Sequence, residues 1–367
     1  MAESNLMNML IWLGELIVAS WALSYGAEKL SLKYGAKFVG RTVLSIATTL
    51  PEIVIVLYAA AAGNYGIALG AGLGSNLLMM TLGLSIMLII ATTPLSKAPL
   101  KGVNVSTFKL DKIFLIITAI LSAILFIDGY NYLDGFIFAV MFIAYFVMAL
   151  REMNAEKKKE QSKLRSSSNQ FTRINQENHK NKEMAIKGEP KLDLMEVRED
   201  LVQIPKGFNQ MIKAILIFVA GTAGILIGAE PFIHSLAGLS VDIGISAVIL
   251  AVVISPIAGE MPEKISLMIL ARKGAHGVSV AISNVLGSKI LNNTLLLAVA
   301  VLGAMLYGGF FSVIETTRML SYQVILVTVI TVVTSILLFK REIGLRVGIM
   351  LSVLYIISLS IQFFIPH

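Results

Sequence analysis

Residues 46–52 read IATTLPE and residues 257–263 read IAGEMPE. Each segment sets a Pro-Glu pair deep in an apolar run of the length that crosses a bilayer, about 17–25 residues. A second matched pair follows downstream: LGSNLLMMTL at 73–82 and LGSKILNNTL at 286–295, identical at six positions of ten. The two offsets are 211 and 213 residues. Shared hydropathy produces runs of Leu and Ile, not Pro-Glu and Gly-Ser in the same order at the same depth, so the chain contains an internal repeat.

Around these motifs lie ten apolar runs, roughly at 7–25, 38–62, 66–93, 113–127, 131–150, 211–229, 242–270, 277–306, 320–339 and 345–365. The 367-residue chain is 56% hydrophobic and 14% charged, against roughly 25% charged in an ordinary soluble domain. That excludes a cytosolic globular enzyme. The absence of cysteine removes disulfide frameworks, thiolate metal sites and cysteine catalysis. The first run has no basic flank or small-residue cleavage site and reads as a retained span.

Charge is concentrated in residues 151–206, which hold 13 Lys/Arg and 10 Asp/Glu, 23 of the chain's 53 charges. This stretch is too polar to bury a core. It reads as a solvated linker, with regulation or anionic-lipid binding as the alternative. It divides the chain into a first repeat (1–150, motif 45–82), a linker (151–206) and a second repeat (207–367, motif 255–295). With the N-terminus outside, 26 of the 30 basic residues fall on the inner side: Lys29, Lys33, Lys37, Arg41, Lys97, Lys101, Lys109, Lys112, the linker's 13, Arg272, Lys273, Lys340, Arg341 and Arg346. The positive-inside bias thus predicts a multi-pass plasma-membrane protein with both termini outside and the linker cytoplasmic. Because the basic residues follow topology, nucleic-acid binding has no support.

The fold expected is all-α: ten transmembrane helices in two inverted five-helix repeats. An odd number of spans per repeat sends the second half into the membrane from the opposite side. Secondary transporters are built this way, with the site at the repeat interface near the midplane.

A carboxylate at that depth costs several kcal/mol, so Glu52, Glu260 and Glu263 require a reason. Pro51 and Pro262 precede two of them and Pro256 lies just upstream. Proline frees carbonyl oxygens, tolerated where backbone lines a cavity. Carboxylates, hydroxyls and freed carbonyls make a hard-oxygen cation site. The candidate ligands are Thr48, Thr49 and Glu52 from the first half and Glu260 and Glu263 from the second, with Ser75, Asn76, Ser288 and Asn292 completing the shell. Ser288 and Asn292 stand i,i+4 on one face, and Gly72, Gly74 and Gly287 permit close helix approach. The plain alternative is structural: neutralised or paired carboxyls, and polar side chains that only bridge helices. Glu15 reads as a buried or near-interface carboxyl or a pathway group. Lys264 and Lys289 either pair with Glu260 or Glu263, replacing a bound cation by a tethered one, or snorkel to the surface. His276 reads as a loop residue.

The run LGELIVASWALSYGAEKLSLKYGAKFVGRTVLSIATTLPE (13–52) with GLGSNLLMMTLG (72–83), and later ISPIAGEMPEKISL (254–267) with NVLGSKILNNTLL (284–296), resembles the two α-repeats of the Ca²⁺:cation antiporter superfamily, which includes the sodium/calcium exchangers. The resemblance implies a central cation site alternately open to either side, with Thr48, Thr49, Glu52 and Ser75 on the first-repeat signature and Glu263 and Ser288 on the second. The chain departs from the pattern at Gly259–Glu260, where a Thr-Ser pair is expected, at Met79, where a polar or acidic residue is expected, at Asn292, where the acidic ligand is missing, and at Lys289, which replaces an asparagine. It reads as a divergent member.

The function expected is exchange of Ca²⁺, or a related divalent cation, for Na⁺ or H⁺. A desolvated carboxyl readily holds a proton, so Glu52 and Glu263 suit alternation between Ca²⁺ and H⁺. A monovalent Na⁺ or K⁺/H⁺ exchanger on the same fold is the alternative, prompted by Lys289 and Asn292. An intramembrane hydrolase using Glu260 and Glu263 is a distant third, since the four histidines lie in loops or at the terminus. No cofactor is expected beyond the transported cations. The partners expected are those cations and the bilayer, and a monomer suffices for the site.

Overall fold

The structure is a computed structural model and describes residues 2–31, 45–152, 155 and 208–364. The expectations for Lys33, Lys37, Arg41 and nearly all of the 151–206 linker lie outside the described residues.

Ten helical rods follow one another among the described residues. They are α1 (Ala2–Ser31), α2 (Ser45–Ala61), α3, α4 (Lys109–Leu125), α5 (Tyr132–Glu152), α6 (Phe208–Ile243), α7 (Ala247–Ala271), α8, α9 (Arg318–Leu337) and α10 (Leu345–Phe364). Two of the rods are composite. In α3 a π-helical turn, Met79–Gly83, joins Tyr65–Leu78 to Leu84–Thr92, and in α8 another, Asn292–Leu296, joins Gly274–Leu291 to Leu297–Gly308. In hydrocarbon each backbone N–H and C=O must be satisfied within the segment, which makes helix the only open-chain solution. Where the chain re-enters a helix, hydroxyls cap it: Ser246 accepts from the Val248 N–H (3.3 Å) and Thr317 from the Leu320 N–H (3.3 Å).

Seven rods, α1, α3, α5, α6, α8, α9 and α10, are long and apolar enough to cross a membrane by length and composition. Helix α2 is shorter, at 17 residues, and α7 carries Glu260, Glu263 and Lys264 in its second half. Helix α6 extends well beyond the expected 211–229. It continues through Pro231, and its polar residues Glu230 and His234 face outward as an exposed i,i+4 pair (3.9 Å). The drop in hydropathy there marks an exposed face, not a helix end.

Helices α1 and α6 lie against each other through small residues: a Cβ at Gly221 of α6 would collide with backbone atoms of Ala19 and Leu23 in α1. At the α3–α7 crossing, a Cβ at Gly74 would collide with the Val252 carbonyl. Such absences of side chain let helices approach to backbone contact. A two-residue antiparallel ribbon, β1 (Val103–Asn104) with β2 (Glu342–Ile343), ties the α3–α4 loop to the α9–α10 loop. At the other end of the bundle Tyr130 and Ile314 exchange backbone hydrogen bonds of 3.1 and 2.8 Å.

The buried apolar side chains form two clusters, one including Leu16, Ile55, Leu69, Phe232 and Ala300, the other Met79, Met87, Leu115, Ile282 and Leu351. The change-over falls between Leu77 and Met79 in α3, between Val252 and Leu267 in α7, and between Leu291 and Leu296 in α8. Polar side chains occupy that boundary.

Candidate functional site

Four helices meet at the boundary. Helix α2 brings Thr49 and Glu52, α7 brings Glu260 and Glu263, α3 brings Ser75 and Asn76, and α8 brings Ser288, Lys289 and Asn292; all of these are buried. Thr48 lies in α2, but its side chain is outside the described residues.

Glu263 has a donor cradle. Ser288 Oγ donates to its Oε1 at 2.8 Å and Asn284 Nδ2 donates to the same oxygen at 3.1 Å. Asn284 is itself held from the other half, its Oδ1 accepting from Ser45 Oγ at 3.1 Å. Asn284 went unselected in the sequence reading. Its signal was available, since it precedes Ser288 by one helical turn and shares its face.

Glu260 sits in a different network. Lys289 Nζ forms an ion pair with Glu260 Oε1, and Ser75 Oγ donates to the same oxygen. Ser75 Oγ also accepts from Lys289 Nζ (2.7 Å) and from Asn292 Nδ2 (2.6 Å). That hydroxyl has one proton and two lone pairs, and all three are engaged. Ser288 and Asn292, though i,i+4, therefore bond to different helices, one to α7 and the other to α3. Next to this network Asn76 Nδ2 donates to Asn293 Oδ1 at 2.6 Å, another α3–α8 bridge.

Glu52 lies between the two networks, within electrostatic reach of Glu260, Lys289 and Glu263. It packs against Gly259, where a Cβ would stand 3.0 Å from its Cγ and 3.2 Å from its Cδ. Gly259, a departure from the exchanger pattern, thus makes room for the first half's carboxylate. Among the described residues Glu52 Oε2 is buried without a hydrogen-bond partner, as are Glu260 Oε2, Asn76 Oδ1, Asn292 Oδ1 and Ser255 Oγ. Buried oxygens are normally paired. A cluster left with unpaired oxygens is chemically prepared for a cation or protons. No three acidic or histidine side chains among the described residues gather as a ready metal cage, so any cation would be held by few carboxylates and many neutral oxygens.

A small pocket lined by Gly72, Asn76, Ser122, Tyr130, Asn292 and Asn293 among others adjoins the asparagines. The π-turns of α3 and α8 stand 213 residues apart, immediately after the two Gly-Ser motifs. In each a threonine bonds back one turn, Thr81 to the Leu77 carbonyl and Thr294 to the Ile290 carbonyl (2.7 Å). Such back-bonding bends helices, and π-turns mark functional sites in many proteins. The sequence carried this signal in the shared threonine of the second repeat motif.

Glu15 lies apart, at the α1–α6 crossing beside Gly224 and Gly228, its Oε2 buried without a partner among the described residues. Lys264, partly exposed, does not run to the surface: its Nζ donates to the Pro256 carbonyl at 3.1 Å. His276 lies in the first turn of α8 and not in a loop as expected; its side chain is outside the described residues.

The family model described as sodium/calcium exchanger protein matches residues 5–151 and 213–364. An uncharacterized membrane protein of Methanocaldococcus jannaschii, MJ0091, is 22% identical over 337 residues, 91% of this chain and 90% of its own length. Among solved structures, the H⁺/Ca²⁺ exchanger CAX superposes with a TM-score of 0.74 at 18% identity, covering 99% of this chain and 82% of CAX. The sodium-calcium exchanger NCX_Mj superposes with a TM-score of 0.58 at 21% identity, covering 98% of this chain and 99% of its own.

Proposed function

The chain belongs to the sodium/calcium exchanger protein family, and from that premise we propose that it is a secondary antiporter moving Ca²⁺, or a related divalent cation, against Na⁺ or H⁺. The observation that carries this reading is the pair of repeat-related carboxylates, Glu52 and Glu263, buried at the meeting of the two halves, with Glu52 Oε2 unpartnered among the described residues. The folds of an H⁺/Ca²⁺ exchanger and of a sodium-calcium exchanger support the substrate class. As a family of exchangers, it is a family of transporters and not of enzymes.

In this reading the ten rods are ten membrane spans in two inverted repeats, 1–150 and 207–367, joined by a cytoplasmic linker at 151–206, with both termini outside the plasma membrane. Glu52 and Glu263 supply the charge that holds the cation. Thr48, Thr49, Glu260, Asn76, Asn292, Ser75 and Ser288 hold or orient them. Loading with Ca²⁺ on one side and with the coupling ion on the other gives obligatory exchange. The site needs only one chain, no resident cofactor and no partner beyond the transported ions and the bilayer.

The test is ⁴⁵Ca²⁺ uptake into proteoliposomes under an imposed Na⁺ gradient and, separately, a pH gradient. Uptake driven by one of them identifies the coupling ion. No uptake under either, together with saturable ²²Na⁺ flux indifferent to Ca²⁺, would replace this reading with a monovalent exchanger.

A further inference from the structure

We propose that Lys289 is a resident cation of the exchange site, permanently filling one carboxylate position and so limiting the mobile cargo to two positive charges per cycle; this rests on the exchange reading above. A lysine at this depth is costly alone, whereas a carboxylate partner makes the pair neutral, and removing either partner leaves an uncompensated buried charge. Lys289 and Glu260 meet these terms. Both are fully buried, and the ammonium contacts Glu260 Oε1 and Ser75 Oγ.

The repeat explains how the pair arose. At an offset of 211 residues, Glu260 stands where the first half has Thr49; at 213, Lys289 stands where it has Asn76. The second half has therefore gained an acid and a base at two positions that are neutral in the first, and the fold brings them into contact. The acid–base pair cancels, leaving the symmetric carboxylates Glu52 and Glu263. Three carboxylates and one ammonium leave a site of two negative charges, which one Ca²⁺ or two monovalent cations neutralise. Ser75, Asn292 and the lysine lock the pair across the two halves. Among the described residues Lys264 is the other cation within reach, but it is partly exposed and bonded to the Pro256 carbonyl.

With this count, exchange of one Ca²⁺ for two monovalent ions moves no net charge, and the membrane potential does no work on the cycle. The experiment uses the full chain in proteoliposomes, measuring ⁴⁵Ca²⁺ uptake against the driving Na⁺ or H⁺ gradient while a valinomycin-clamped K⁺ potential is stepped. Wild type is expected to be insensitive to the step. Lys289→Gln frees Glu260 for a third monovalent ion, so its uptake is expected to change by about fivefold or more for a 100 mV step. Glu260→Thr combined with Lys289→Asn copies the first half and restores the charge count, so that variant is expected to be insensitive again. If Lys289→Gln does not fold, wild type and the double variant still decide. Potential-sensitive uptake by wild type, a folded Lys289→Gln protein that ignores the step, or a potential-sensitive double variant would overturn the inference and leave the exchange reading intact. Absence of wild-type Ca²⁺ flux under both gradients would overturn both.

Discussion

The Glu52 side chain is seated against Gly259 of the opposite half, so close that a Cβ there would stand 3.0 Å from Glu52 Cγ. The carboxylate of one repeat is thus positioned by the absence of a side chain in the other. Gly259→Ala is expected to push the carboxylate off its position while the rest of α7 stays helical. Misplacing a binding group by a fraction of an ångström lowers transport by about tenfold or more. Initial rates of ⁴⁵Ca²⁺ uptake, read beside an unchanged melting temperature, check this. An unchanged rate would mean that Glu52 is not held by this contact.

Ser288 and Asn284 both donate to Glu263 Oε1. A hydrogen bond to a charged group contributes about 1.5–3 kcal/mol. Ser288→Ala and Asn284→Ala are each expected to weaken apparent Ca²⁺ affinity by about tenfold. The concentration dependence of uptake measures this, with Ser360→Ala, on the exposed face of α10, as the control.

Gly74 is expected to matter for folding more than for transport. A Cβ there meets the Val252 carbonyl, which is backbone and cannot swing aside. Gly74→Ala must therefore spread the α3–α7 crossing, at a cost of about 1–3 kcal/mol or more. Detergent-solubilised protein should show a lower melting temperature and reduced monodisperse yield.

That the carboxylates of the candidate site are buried was legible because charge at membrane depth is costly and the repeat displays Glu52 and Glu263 twice in the same setting. Hydropathy also located the rods, including α7 with its charged second half. The partner of Lys289 was not legible. Whether a lysine pairs or snorkels depends on how α8 is rotated against α7 and α3, and the pattern along one helix does not determine that rotation. The same limit hid the triple engagement of Ser75 and the split between Ser288 and Asn292. The π-turns escaped because an inserted residue leaves local apolar periodicity nearly unchanged; only the back-bonding Thr81 and Thr294 announce it. Helix α6 was read too short because Glu230 and His234 lower the hydropathy of a face that is simply exposed.

The proposed orientation is testable without disturbing the site, because the chain contains no cysteine. A single cysteine at Glu315, exposed in the loop before α9, is expected to react with a membrane-impermeant maleimide on intact cells. One at Ser167, in the linker, is expected to react only after permeabilisation. The reverse pattern would invert the topology.

The central claim, exchange at Glu52 and Glu263, is tested most directly by isotope counterflow. Proteoliposomes loaded with unlabelled Ca²⁺ are placed in ⁴⁵Ca²⁺ at the same concentration, with no Na⁺ or pH gradient. Wild type is predicted to accumulate label by one-for-one exchange, whatever ion couples it in the cell, and Glu52→Gln and Glu263→Gln are each predicted to reduce that exchange to the level of protein-free liposomes. Wild-type counterflow that persists in folded Glu52→Gln and Glu263→Gln proteins, or a folded wild type that exchanges no label, would contradict the account.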